Sequence, residues 1–468
     1  MQLTGPLFLF VFLPLSLLPL LLLKQPQRRL ALSFLSLLFF IVVNRNHPMG
    51  MIHIALLLFF VTVLAYLPIP HSVGGGRLRT VLGVVVPLLS LIAARILGEY
   101  FPHFYTYPTG MGIVSLGAVS YAIDNARGDA VRPKNALELI GYLLFFPVLA
   151  VGPILRCKQY FDLTEDISLS TERFSEGARL YMMGFVKRIA VGAVLLRAIA
   201  EVLSYRAVAL PLSAVLCLLL FSYLYFYFFV SGGADMARGV CALYGIVLPR
   251  DRGNVIFATT PSRMFYGILL SLRNYLLDYL YRPLCRLCGK RVGPLLFALL
   301  TFLLTTLFYR TDLRLLVVAL PILLFTLLSL LPLCWRSKLR ARPLNILCSM
   351  ASVVLVAPVT LALLMKNPLD DFSLLRDAFS APSAYPSYFI FGMVKDTRYL
   401  LLAAIPMILC LLMGRYAPLL RRSSHTALQR VSAIVGTILL FAAFVLTLIY
   451  FMPQFPWLAD YVHGPFRL

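Results

Sequence analysis

Residues Tyr227 to Gly239 read YFFVSGGADMARG, between PLSAVLCLLLFSYLYF (Pro211–Phe226) and VCALYGIVLP (Val240–Pro249). A serine, two adjacent glycines, an aspartate and an arginine interrupt an otherwise apolar run. If the run lies in a membrane, the charges are costly unless they face protein or water. How this stretch is read decides whether the chain is a lipid-embedded helical bundle.

The rest of the chain answers for membrane. Of 468 residues, 60% are hydrophobic and 13% charged, against roughly half apolar and a quarter charged in soluble domains. Gly5–Leu23 and Ser432–Met452 are apolar runs near the ~20 residues that a helix needs to cross hydrocarbon. Backbone groups in lipid must be paired internally, and no alternating short strands suggest a barrel. The expected fold is therefore all-α and polytopic, with roughly 11–14 transmembrane or re-entrant helices. It forms a single domain over 1–468, with no soluble domain.

The net charge of +23 would suggest nucleic acid on a soluble protein. Here it reads as basic loops facing an anionic membrane surface, and no basic-aromatic nucleic-acid module is present. Membrane lipids are expected partners and nucleic acid is not. Cys217, Cys241, Cys348 and Cys410 lie in apolar runs as small core residues. Cys285 and Cys288 form a CRLC pair with no second pair nearby, so a cytoplasmic loop is preferred to zinc and no metal is expected. The N-terminal run has no charge before Lys24, so it is expected to be a retained span rather than a signal peptide.

Basic clusters then orient the chain. Spans near 5–23, 30–43, 51–69, 80–97 and 107–123 alternate correctly if Lys24, Arg28, Arg29, Arg77, Arg79, Arg127, Arg132 and Lys134 are inside. Further spans are expected near 292–308, 313–334, 344–365, 399–413 and 431–452, with both termini outside and the chain in a bacterial inner membrane. Between 138 and 284 the helices are expected to be broken, at VGPILRCKQYFDL and at the opening stretch, as in cavity-lining segments.

Five collinear strings resemble the membrane-bound O-acyltransferase family, in its bacterial branch that acetylates alginate or cellulose or moves D-alanine toward teichoic acids. YPTGMGIVSLGAVSYAIDNARG (Tyr107–Gly128) carries the matching Pro108, Gly110, Ser120, Tyr121, Ile123, Asp124, Arg127 and Gly128. FFPVLAVGPILR (Phe145–Arg156) supplies Pro153 and Arg156. RFSEGARLYMMGFVKR (Arg173–Arg188) supplies Gly177, Gly184 and Lys187. SGGADMARG (Ser231–Gly239) and DYLYRPL (Asp278–Leu284) complete the series. The resemblance covers about 5–330, leaving 331–468 as C-terminal helices. It implies that the S-G-x-x-D segment packs inside the bundle beside a central cavity. Ser231, Asp235, Arg238, Asp278, Arg282, Pro153 and Arg156 are the candidate structural and cavity residues. Arg238, one turn from Asp235, is its candidate partner, either as an ion pair fixing helix packing or in direct chemistry. Asp278 and Arg282 are an i,i+4 pair on a helix with Arg273, Tyr275, Tyr279 and Tyr281, expected at the cytoplasmic surface.

The same resemblance exposes departures. The family's base is a membrane-embedded histidine in G-L-W-H-G. In that register Thr306, Phe308, Tyr309 and Arg310 replace the glycine, tryptophan, histidine and following glycine. Leu269 stands where a second histidine is found, and Phe229 where the family has an acid. All six histidines, His47, His53, His71, His103, His425 and His463, lie outside 104–424. A base working near pH 7 needs a group titrating there, and tyrosine at about 10 is a poor replacement. Tyr309 and Arg310 read as interface anchors or, with Asp312, as weak catalytic candidates. His53 and His103 read as interfacial, with a base or ligand role as the alternative.

The expected function is a catalytically degenerate membrane subunit of a surface-polysaccharide synthesis, modification or export system, working beside other subunits. The alternatives are an active O-acyltransferase with a rearranged centre, or a transporter or flippase using Asp235 and Arg238. No cofactor is expected; an acyl donor such as acetyl-CoA or an acyl carrier enters only if the chain is active.

Overall fold

The computed structural model describes residues 3–249 other than 26, 68–72, 130–132, 150–151 and 205–209, then 270–289, 342–364, 403–408 and 426–451, with isolated residues between. Every described element is helical, as the composition demands. A π-helical turn Phe8–Phe12 leads into α1 (Leu13–Leu22), followed by α2 (Gln27–Asn44), α3 (Pro48–Tyr66), α4 (Val73–Tyr100) and α5 (Met111–Arg127). Short helices α6 (Ala136–Leu143), α7 (Phe146–Leu149) and α8 (Cys157–Glu165) come next. α9 (Thr171–Val186) runs through a π-helical stretch Lys187–Ala193 into α10 (Val194–Ser204), and α11 spans Leu212–Leu243. Helices Arg342–Leu364 and Thr426–Leu446 lie further on.

Among the described residues, four helices are long and apolar enough to cross a membrane: Gln27–Asn44, Pro48–Tyr66, Gly76–Tyr100 and Leu212–Leu243. Their surfaces carry the same message. On α3, Ile52, Leu56, Phe59 and Val63 are exposed; on α4, Leu78, Val81, Val85 and Leu89 are. Steps of three and four residues place each set on one helix face, and apolar stripes of this length face lipid rather than water. The chain is a multi-pass membrane protein.

The expected spans near 5–23, 30–43, 51–69, 80–97, 107–123, 344–365 and 431–452 meet helices, with α4 extending well beyond 80–97; most of 292–308, 313–334 and 399–413 lies outside the described residues. The expected break at VGPILR is found: residues 152–156 are non-helical, between α7 and α8. The expected break at SGGADMARG is not. α11 runs unbroken for 32 residues through Ser231, Gly232, Gly233 and Asp235. No proline interrupts it, and two of its glycines, Gly232 and Gly239, pack against a neighbouring helix. A Cβ on Gly232 would meet the Gly184 carbonyl at 2.8 Å, and one on Gly239 would meet the Gly177 carbonyl at 2.8 Å. Both glycines of each helix are seven residues apart, so α9 and α11 meet backbone to backbone along two turns, as small residues allow in membranes.

The core gathers around this pair. Phe185 on α9 meets Phe444 edge-on, and Ser222 on α11 lies 3.2 Å from Thr360. At the N-terminal side, Ser16 on α1 bonds Tyr244 at the end of α11. Arg29 on α2 donates to Glu138 on α6 at 2.7 Å. α5 ends cleanly at Gly128, whose φ of 77° suits glycine; the next amide, on Asp129, donates back to the Asp124 carbonyl at 2.9 Å. The last turn of α5, which carries Asp124, is thereby fixed.

Candidate functional site

Ser120 and Asp124 are four residues apart on α5 and share a face. Across from them is a helix, Leu270–Leu276, that passes into a π-helical turn, Leu277–Tyr281. The Tyr279 hydroxyl, on that turn, donates to the Asp124 carboxylate with 2.8 Å to each oxygen. Ser120 Oγ is 2.9 Å from Tyr279 Oη and 3.3 Å from Asp124 Oδ2. All three side chains are buried. Tyr275, one turn earlier, donates to the Leu116 carbonyl at 2.8 Å.

A third element closes the cluster. Arg156 ends the non-helical segment 152–156 and pairs with Asp278, while its Nη2 donates to the Asn274 carbonyl at 3.1 Å. Arg282 Nη1 reaches Asp278 Oδ1 at 2.5 Å from the exposed side. Arg127 donates to the Asp278 carbonyl at 3.2 Å and lies 5.3 Å from the Tyr279 ring centre. Three strings distant in sequence, SYAIDNAR, GPILR and DYLYR, therefore converge. The Asp278–Arg282 pair stands as expected, and Arg156 is a second partner that the sequence does not reveal. Ser120, Asp124 and Tyr279 each fall in a string that the family resemblance singles out, but the sequence does not show that the three meet. Pro153 is buried in the same segment.

Chemically this cluster is a carboxylate held by neutral hydroxyls and rimmed by guanidinium groups. Cys157 follows Arg156, and its amide donates to Ser120 Oγ at 3.4 Å. Burial, then the Asp124 charge, push the Cys157 thiol well above the usual range, so it is not a ready nucleophile.

A second cluster lies in the α9–α11 seam. Lys187 Nζ sits 2.5 Å from Asp235 Oδ2, with both side chains almost wholly buried. Arg238 is farther, 3.8 Å from Oδ1. The main partner of Asp235 is thus Lys187 rather than Arg238. The i+3 spacing makes Arg238 visible in the sequence, whereas Lys187 is brought in by the glycine seam across 48 residues of chain. Ser231 is buried four residues before Asp235. Phe229, where the family resemblance expects an acid, lies under the buried Arg188 guanidinium at 4.2 Å. An aromatic face takes the place of a carboxylate there. Both clusters adjoin π-helical turns, which widen a helix locally and re-aim its side chains.

His53 is tied into a third place, between α3 and α4. Its Nδ1 is 2.7 Å from Tyr105 Oη and its Nε2 3.0 Å from Ser90 Oγ. It bridges helices, with both ring nitrogens occupied. His103 is exposed on the loop after α4. Tyr309, Arg310, Asp312 and Leu269 lie outside the described residues. No group of three metal-ligating side chains occurs among the described residues.

No family model matches the chain. Curated relatives do. The chain is 28% identical over 306 residues to a probable alginate O-acetylase of Pseudomonas fluorescens, covering 63% of this chain and 59% of that protein. A probable alginate O-acetylase of Pseudomonas syringae pv. tomato is 27% identical over 338 residues, covering 67% and 63%. One from Pseudomonas aeruginosa is 28% identical over 305 residues, covering 60% and 56%. The chain thus spans 56% to 63% of the length of these relatives. Similarity across some 300 residues agrees with the collinear motifs: the chain is similar to the alginate O-acetylases over that length, which supports the resemblance to the membrane-bound O-acyltransferase family.

Proposed function

We propose that the chain serves the O-acylation of a surface polysaccharide, as an alginate-O-acetylase-like membrane protein whose core has lost the family's histidine base. One observation carries the second half: no histidine occurs between residues 104 and 424. No other side chain in that stretch ordinarily titrates where a base at neutral pH must. His53, the described histidine nearest in kind, already bridges Tyr105 and Ser90. The retained polar clusters fit a scaffold, since their hydrogen bonds run between helices. Asp235, closed between Lys187 and Arg238 in a glycine seam, fits packing better than a transport path.

The relatives, named as O-acetylases, favour a second reading, an active enzyme with a rearranged centre. In it Tyr309, Asp312 or a partner subunit supplies the base, and an acetyl-CoA or acyl-carrier donor is used. The acetyl content of the surface glycan separates the two. Deleting the gene is expected to lower it, and Tyr309→Phe to restore it as fully as the native chain. Loss of acetylation in Tyr309→Phe at normal protein level would establish the second reading. Unchanged acetyl and alanyl content on deletion would remove the chain from glycan O-acylation altogether.

A further inference from the structure

On the face of α5 away from Tyr279 lies a cleft of about 730 Å³ between α3, α4 and α5, within the size range of small-molecule pockets. It sits at one end of the bundle, where α3 and α5 finish and α4 begins. Val61 and Leu64 of α3 and Ala122 of α5 line its apolar part, and Arg77 and Arg79 its basic part. Among the described residues, none that lines it is acidic. From Arg77 to Gly83 along α4 the wall is roughly 9 Å deep, at 1.5 Å per helical residue.

Three features of this cleft converge on one ligand class. Arg79 donates one bond to the Ala65 carbonyl, one of the terminal acceptors of α3. That bond fixes the guanidinium at the cleft and leaves further donors of its planar fork, which suits phosphate oxygens. Arg77, two residues away, is exposed and doubles the positive charge. Val81 both lines the cleft and belongs to the exposed apolar stripe of α4, being 54% exposed. The cleft is therefore continuous with the lipid-facing surface, and a ligand can enter sideways from the bilayer.

The geometry points to a binding site for one anionic phospholipid, with its phosphate on Arg77 and Arg79 and an acyl chain along the apolar walls of α3 and α5. The site does not depend on whether the chain catalyses acyl transfer. A soluble phosphate compound would use the arginines and leave the apolar wall idle, and a zwitterionic lipid would lose the charge match.

The test uses the full purified chain and native mass spectrometry with added phosphatidylglycerol or phosphatidylcholine. Phosphatidylglycerol is expected to be retained about tenfold better, and Arg77→Gln with Arg79→Gln to remove most of that preference. Arg79 also ties α3, so a second variant works by shape alone. Gly76 lines the cleft, and a Cβ there meets nothing within 4 Å. Gly76→Leu is expected to fill the space and expel the lipid while the lipid-free melting point stays unchanged. Equal retention of phosphatidylglycerol by native and Gly76→Leu protein would overturn the proposal, as would its displacement by millimolar inorganic phosphate. Dihexanoyl phosphatidylglycerol binding as well as the long-chain lipid would also overturn it, because the apolar wall would then contribute nothing.

Discussion

Two buried aspartates of this bundle are held in different ways. Asp235 faces full charges, Lys187 at 2.5 Å and Arg238 at 3.8 Å, in a seam where two backbones touch. Asp124 faces neutral hydroxyls, Tyr279 and Ser120, and the arginines nearby are spent on Asp278 and on backbone. The first arrangement joins two long helices side by side. The second joins a helix end, an irregular segment and a surface-proximal helix. A charge deep in a seam needs a counter-charge, because water cannot reach it. A charge near a helix end can be met by hydroxyls and still feel partly hydrated arginines. The difference predicts unequal fragility.

The seam should break hardest. Lys187→Met takes away the close counter-charge of Asp235, and uncoupling one member of a buried pair costs about 3–5 kcal/mol. Replacing both, Lys187→Met with Asp235→Leu, should recover much of that loss. Midpoints of unfolding in mixed detergent micelles would show it; equal damage in single and double variants would mean the pair is not the source of stability. Gly184→Ala comes next, at about 3 kcal/mol. Its new methyl meets the Gly232 carbonyl at 2.5 Å, and backbone cannot swing aside as a side chain can. If Gly184→Ala unfolds at the native midpoint, the helices do not touch there.

The Asp124 cluster should be more forgiving. Tyr279→Phe removes the one hydroxyl that reaches both carboxylate oxygens, a loss of about 2 kcal/mol for a bond to a charged group. The aromatic packing with Tyr275, at 4.6 Å between ring centres, remains. Ser120→Ala should cost less, since its bond to the carboxylate is longer, at 3.3 Å. A Ser120→Ala effect exceeding that of Tyr279→Phe would reverse the assigned roles of the two hydroxyls.

These clusters are unequally legible in the sequence. Hydropathy places the long helices, because lipid imposes a length and a composition that one sequence displays. α11 departs from expectation because Ser231, Gly232 and Asp235 look like a break when the helix facing them is unknown. Lys187 as the partner of Asp235, and Arg156 as the partner of Asp278, are contacts between remote segments. Periodicity carries no trace of them. The Asp278–Arg282 pair is readable since both residues lie one turn apart on a single helix.

That same pair gives the smallest expected effect. Asp278 has two cationic partners, Arg156 with a side chain 26% exposed and Arg282 with one 68% exposed. Exposed ion pairs contribute about 0–1 kcal/mol, so Arg282→Ala should barely move the unfolding midpoint. Arg156→Ala should move it more, because Arg156 also donates to the Asn274 carbonyl and lies over the Tyr279 ring at 5.8 Å. High salt should erase the Arg282 contribution and spare most of that of Arg156. If Arg282→Ala proves the more damaging of the two, the surface helix is held from its outer side. The inward tie through the GPILR segment would then not be what docks it onto α5.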